Sequence, residues 1–261
     1  MVITGAEITA WVGAYFWPLV RVGGVLMTAP VFGSKPVPVR IRLIITLAIT
    51  SVIVPVISPN MPAVDAFGPM SILVVAQQLL IGVAMGFAFQ LVISAVITGG
   101  QAIGLQMGLG FAVMVDPQNG SQAPVLSQLY VLMVLLAFLL MDGHLLLIEI
   151  LADSFRSIPI GVEGLRPDDL WQLLKWASII FSGALSLALP AIASLLVVNI
   201  AFGIMTRAAP QLNIFAIGFP VTMMIGFGVI LVTLPSVIPN SSELFNQTYH
   251  LIQQILRTGG P

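Results

Sequence analysis

Charged residues punctuate this chain so sparsely that the intervals between them outline its architecture. Glu7 to Arg21 encloses 13 uncharged residues, Arg42 to Asp65 encloses 22, and Asp65 to Asp116 encloses 50. Asp116 to Asp142 encloses 25, Lys175 to Arg207 encloses 31, and Arg207 to Glu243 encloses 35. A membrane-crossing helix needs roughly 20 predominantly apolar residues, so most of these intervals hold a span. The pattern predicts six hydrophobic helices, near Ile8–Thr28, Leu43–Ile57, Ile72–Thr98, Val125–Leu151, Trp176–Met205 and Ile214–Ile238. The second is short and proline-ended, and the first carries Arg21 within it. Pro18, Pro55, Pro190, Pro220 and Pro235 lie inside or at the ends of these segments and predict kinks, because each removes a backbone donor.

The 50-residue interval must break. As one helix at ~1.5 Å per residue it would reach ~75 Å, against a hydrocarbon core of ~30 Å. Its second half supplies Gly99, Gly100, Gly104, Gly108 and Gly110, with Gln101 and Gln106 among them, then Phe111-Ala112-Val113-Met114-Val115-Asp116-Pro117. Glycine permits bends and close backbone approach, while glutamine in lipid needs partners. Two readings stay open for Gly99–Pro117: tight helix packing along the Gly100, Gly104, Gly108 face, or a re-entrant, pore-facing loop. Gly82 and Gly86 form a second small-residue pair at four-residue spacing, for which helix packing is the favoured reading.

Composition decides the compartment. Of 261 residues, 58% are apolar and only 7% charged, with a mean hydropathy of +1.08. A soluble domain carries about 25% charged residues and needs them to cover its surface. Nine basic against ten acidic residues give a net charge of −1, too little basic character for nucleic-acid binding. With no cysteine, disulfides, thiolate zinc sites and thiol catalysis are excluded. No positively charged leader segment precedes the first apolar stretch, so a retained first helix is expected. Lys35, Arg40, Arg42 and Arg207 share one side of the six-span arrangement, which puts both termini outside the cytoplasm by the positive-inside rule.

Candidate chemistry is thin. Asp142, His144 and Glu149 fall in or beside the fourth span and suggest a proton relay. Asp142-Gly143-His144 also reads as a helix break at the interface, and the missing basic partner favours that structural reading. The stretch Arg166–Trp176 predicts a short surface helix, with Asp168 and Asp169 at its start and Lys175 near its end. No nucleophile elbow, phosphate loop or zinc-protease motif is present, so no enzymatic activity is expected. Met107 and Met114 flank the glycine-rich break beside Phe111, and deformable apolar side chains of this kind can close a pore.

The chain resembles the FliR family, subunits of the flagellar export gate related to type III secretion injectisomes. The resemblance rests on Tyr15-Phe16-Trp17-Pro18-Leu19-Val20-Arg21, Thr28-Ala29-Pro30-Val31-Phe32-Gly33 and Val37-Pro38-Val39-Arg40. It continues through Gln77-Gln78-Leu79-Leu80-Ile81-Gly82, Gly104-Leu105-Gln106-Met107-Gly108-Leu109, Val115-Asp116-Pro117 and Gly143-His144. It ends with Arg207-Ala208-Ala209-Pro210-Gln211-Leu212-Asn213-Ile214-Phe215 and Ile217-Gly218-Phe219-Pro220. These stretches span nearly the whole length in the family's order.

The resemblance implies an all-α membrane protein, a single integral-membrane domain over residues 1–261 with several helices kinked or broken. Residues 1–155 would be FliP-like, comprising four helices, and 170–261 a FliQ-like hairpin of two. It implies one copy assembled with five FliP and four FliQ chains, neighbouring FlhB and FlhA, in the bacterial inner membrane at the flagellar basal body. Membrane lipid and unfolded flagellar export substrates would be the other partners, with no cofactor or metal. The pore plug would map to Gly104–Pro117: Gly104, Gln106, Met107, Gly108, Gly110, Phe111, Met114, Asp116 and Pro117. Gly82, Gly86 and Gly100 would pack helices. Arg207, Pro210, Gln211 and Asn213 would form the hairpin tip, a possible FlhB contact. A polytopic secondary transporter and an assembly scaffold without a pore remain as alternatives.

Overall fold

The structure, a computed structural model, describes residues 5–34, 36–57, 68, 70–109, 125–208 and 214–258. Every regular element among them is an α-helix. In chain order these are α1 (Gly5–Thr28), α2 (Val39–Ile57), α3 (Ser71–Gln106), α4 (Val125–Leu140), α5 (Gly143–Ser157), α6 (Pro167–Trp176), α7 (Ile179–Ala208) and α8 (Ile214–Thr258). Among the described residues, four stretches are long and apolar enough to cross a membrane: Val39–Ile57, Ser71–Gln106, Pro167–Ala208 and Gly218–Arg257. A fifth arises if α4 and α5 are counted as one broken span. The remaining expected segment coincides with the 24-residue α1, which contains Pro18 and Arg21.

Three elements differ in extent from the pattern-based expectation. The fourth segment is not continuous: Asp142 takes a left-handed φ of 57° and starts α5, its carbonyl accepting from the N–H groups of Leu145 and Leu146. Asp142, at the break, and Glu149, within α5, are both exposed. Helix α3 runs straight through Gly99 and Gly100, 36 residues in all, or roughly 54 Å. Helix α8 is longer still at 45 residues, carrying Pro220, Pro235 and Pro239 inside it and continuing past Ile238 into polar sequence. That continuation buries Ser241, Leu244, Phe245, Thr248, Ile252 and Ile255, spaced three or four residues apart along one helical face.

The chain divides into two compact units. Unit one comprises residues 1–91, 141–177 and 247–261; unit two comprises 92–140 and 178–246. In unit one, α1 and the start of α3 approach to backbone contact. A Cβ on Gly24 would lie 3.1 Å from the Leu79 carbonyl oxygen and 3.2 Å from the Gly82 Cα. A Cβ on Gly82 would collide with the Arg21 carbonyl oxygen, and one on Gly86 with the Thr28 hydroxyl. The Thr28 hydroxyl, whose shortest acceptor is the Gly24 carbonyl of its own helix at 3.0 Å, also lies 3.3 Å from the Val83 carbonyl across this seam. Small residues let two helix backbones meet where apolar lipid gives little drive for association. After α1 the chain reverses at Val31, φ 70°, with the Phe32 N–H donating to the Pro30 carbonyl at 2.9 Å. Arg42 of α2 holds this turn by donating to the Phe32 and Ser34 carbonyls at 3.0 and 3.3 Å. At the start of helix α6 the Arg166 N–H donates to the Asp169 carboxylate at 2.9 Å, and the Asp169 N–H donates to the Arg166 carbonyl at 3.1 Å.

Unit two is built on the same principle. A Cβ on Gly100 would lie 2.8 Å from the Ser127 Cα, joining α3 to α4, and the Ser127 hydroxyl donates to the Ile97 carbonyl at 3.1 Å. Gly99 faces Ala184 of α7, and Gly183 of α7 faces Ala95 of α3 and Leu244 of α8. Phe138 of α4 and Phe245 of α8 pack with ring centroids 4.8 Å apart and planes tilted by 44°.

Candidate functional site

The glycine-rich end of α3 stops the helix by a defined device. Met107 N–H donates to the Ile103 carbonyl at 3.0 Å, the last regular helical bond. Gly108 N–H then donates to the Leu105 carbonyl at 3.0 Å, and Leu109 N–H reaches back to the Gly104 carbonyl at 2.9 Å. Gly108 sits at φ 81°. These paired bonds around a left-handed residue make a Schellman stop, which satisfies carbonyls that a helix end would leave unpaired. An L side chain at Gly108 would be strained, whereas a Cβ on Gly104 would meet nothing within 4 Å. Of the four glycines among the described residues, one, Gly108, thus ends the helix; Gly99 and Gly100 pack, and Gly104 remains helical. Gly110, Phe111, Met114, Asp116 and Pro117 lie outside the described residues.

Met107 is fully buried. Its side chain occupies the place where α8 has Gly226: a Cβ there would lie 2.7 Å from both Cγ and Cε and 3.1 Å from Sδ. Gln106, one residue earlier, is half-buried. At the other expected site, Arg207 is exposed in the last turn of α7, and Pro210, Gln211 and Asn213 lie outside the described residues.

A second polar centre sits in unit one, where sequence reasoning noted a charge within a span but found it no role. Arg21 is completely buried. Its Nε donates to Gln78 Oε1 at 2.7 Å and Nη1 to the Ser154 carbonyl and hydroxyl at 2.8 and 3.1 Å. Nη2 donates to the Ile158 carbonyl at 2.9 Å. The guanidinium carbon lies 4.2 Å from the Phe155 ring centroid, within cation–π range. The cation therefore closes the C-terminal end of α5, where the helix dipole and free carbonyls are negative. Carbonyl oxygens and a ring face do the work of a carboxylate. The available signal was the arginine inside one apolar run and Gln77-Gln78 inside another; intramembrane polar groups find each other.

Long apolar helices, backbone-close glycine seams, a broken span and buried polar clamps define a polytopic helical membrane protein. A family model described as "Bacterial export proteins, family 1" matches residues 12–248. The flagellar biosynthetic protein FliR of Escherichia coli (strain K12) is 41% identical over 256 residues, 97% of each chain. The protein of the same name from Pectobacterium carotovorum subsp. carotovorum is 36% identical over 250 residues, 96% of this chain and 95% of the relative. That from Bacillus subtilis (strain 168) is 27% identical over 252 residues, 95% and 96%. The chain belongs to this bacterial export family, alongside the FliR proteins.

Proposed function

We propose that this protein is a non-enzymatic subunit of the flagellar type III export gate in the bacterial inner membrane. There it forms, with FliP and FliQ, the pore through which unfolded flagellar proteins pass. The observation that carries the reading is the 41% identity, over 97% of both chains, to a relative named for flagellar biosynthesis. One copy joins five FliP and four FliQ chains, with residues 1–155 in the FliP-like role and 170–261 in the FliQ-like role. FlhA and FlhB adjoin the assembled gate, and Arg207, Pro210, Gln211 and Asn213 form a hairpin tip available to FlhB.

The segment from Gly104 to Pro117 is the plug of the closed pore. Its support is physical: within an uncharged run of 50 residues the 36-residue α3 is terminated by a glycine-set stop at Gly108, and the next residues are Leu109-Gly110-Phe111-Ala112-Val113-Met114. An apolar constriction blocks ions because stripping their hydration costs far more than thermal energy. Deleting Gly108–Met114 is expected to let small ions cross the inner membrane while the gate still assembles. Normal assembly with membranes as tight as those of the unaltered protein would refute the plug and favour a scaffold role.

A further inference from the structure

We propose that the uncovered face of α3, formed by Gln90, Ser94, Thr98 and Gln101, lines a water-filled passage and touches the extended polypeptide travelling through it. The inference rests on the export reading above and names side chains that meet the cargo.

Of the four stretches long and apolar enough to cross a membrane, the one formed by α3 is the most enclosed by the rest of the chain. Between Ala88 and Gly104 it leaves only Gln90, Ser94, Ile97, Thr98, Gln101 and Ala102 uncovered. Steps of three and four residues put the four polar ones on one helical face. The outward faces of α4 and α7 are instead dominated by large apolar side chains, among them Leu129, Leu132 and Leu136, and Phe181, Leu185 and Leu189. Those faces suit lipid or an apolar neighbour. Hydroxyls alone would not set α3 apart, because the Thr98 hydroxyl donates to the Ser94 carbonyl at 2.8 Å, a bond that makes threonine tolerable in lipid. A glutamine carboxamide carries two donors and an acceptor, more than its own helix can satisfy, and a glutamine stands at each end of the face.

A second helix turns polar at the same level. Gly183 of α7 meets both partners: a Cβ there would lie 3.1 Å from the Ala95 Cβ and 3.0 Å from Leu244 Cδ1. The residues just before these contacts are Ser94 on α3 and Glu243 on α8, and Glu243 is exposed. An exposed carboxylate calls for water rather than hydrocarbon.

The face also matches an unfolded chain. From Gln90 to Gln101 it runs ~17 Å, the reach of about five residues of extended polypeptide. Carboxamides and hydroxyls donate to and accept from any peptide unit. No residue of α3 is charged, so neither acidic nor basic segments are held back. Such a wall favours passage over capture.

The native absence of cysteine gives a clean background for the test. Spheroplasts and inverted membrane vesicles carrying the assembled export complex, with Ser94→Cys, Thr98→Cys or Gln101→Cys, are treated with a charged, water-soluble thiol reagent. A thiol reacts as its thiolate, which forms readily only where water reaches it. Each should label at least about tenfold faster than Leu132→Cys or Leu136→Cys, the ratio that ~1.4 kcal/mol of easier ionisation produces. Polar-face positions labelling no faster than the leucine positions would overturn the proposal. Serine to cysteine is nearly isosteric, so Ser94→Cys decides the matter if the larger changes fail to assemble. An export substrate with a tightly folded C-terminal domain is then stalled in transit, with cysteines spaced along its extended segment. Labelling of Thr98→Cys should fall to that of Leu132→Cys, and mild oxidation should join Thr98→Cys to the substrate by a disulfide. A stalled substrate that leaves labelling unchanged and forms no disulfide would overturn the contact. Removing the protein altogether should stop export. Export that continues without it refutes the export reading itself, whereas export that depends on it alongside inert Ser94→Cys and Thr98→Cys refutes only the polar face.

Discussion

Replacing Arg21 by alanine should destabilise this protein more than any conservative apolar change in the same helix. Four hydrogen bonds disappear, at 2.7, 2.8, 2.9 and 3.1 Å. They do not all count equally. The Ser154 carbonyl keeps the Ile158 N–H at 2.9 Å, and the Ser154 hydroxyl keeps its own bond to the Leu151 carbonyl at 2.7 Å. Gln78 Oε1 and the Ile158 carbonyl lose the partner that Arg21 supplied. A buried acceptor left unpaired costs ~1–3 kcal/mol, so the two together give roughly 2–6 kcal/mol before any cavity is counted. Removing the buried cation offsets part of this, because its desolvation is itself expensive. At about 2–4 °C per kcal/mol for a domain of this size, the thermal midpoint should fall by on the order of 10 °C.

Lysine should rescue only in part. Its ammonium is a compact point charge and cannot span Gln78, Ser154 and Ile158 as the planar guanidinium does. Ser154→Ala should cost least, near ~1 kcal/mol, since Arg21 retains its other acceptors. The assay is thermal unfolding of the detergent-solubilised protein, followed by the loss of its size-exclusion peak. The expected order of midpoints is unaltered, Ser154→Ala, Arg21→Lys, Arg21→Ala. An Arg21→Ala protein melting within about 2 °C of the unaltered one would refute the clamp.

Gly82→Leu should separate α1 from α3 and lower the recovery of folded protein, because its Cβ would collide with the Arg21 carbonyl rather than with a movable side chain; overpacking of this kind costs ~1–3 kcal/mol or more. Recovery and melting equal to the unaltered protein would contradict the seam. Gly108→Ala and Gly104→Ala should move in opposite directions. The first places an L residue at φ 81° and loses ~1–2 kcal/mol, while the second adds a Cβ into open space within a helix and gains ~0.5–1 kcal/mol. Melting midpoints of the two variants check both signs.

Much of the helical skeleton was written in the spacing of charges. A charge is costly in hydrocarbon whatever the tertiary arrangement, so an uncharged interval of sufficient length reports a helix without knowledge of its neighbours. The short helix after Arg166 was equally legible, because its cap is a local bond between Arg166 and Asp169. The tail of α8 carried a period-3.6 signal at Ser241, Leu244, Phe245 and Thr248, but charges and polar residues hid it from a reading tuned to hydropathy. What sequence left open was the role of each glycine, since Gly99, Gly100, Gly104 and Gly108 are chemically identical. Only the facing residues distinguish them: Ala184 for Gly99, Ser127 for Gly100, open space for Gly104, and a left-handed backbone with paired carbonyls for Gly108. The same holds for Arg21, whose partners lie 57 and more than 130 residues away. Hydropathy records what each residue avoids. Which carbonyl a guanidinium meets, and which glycine a methionine fills, exists only once the helices are packed.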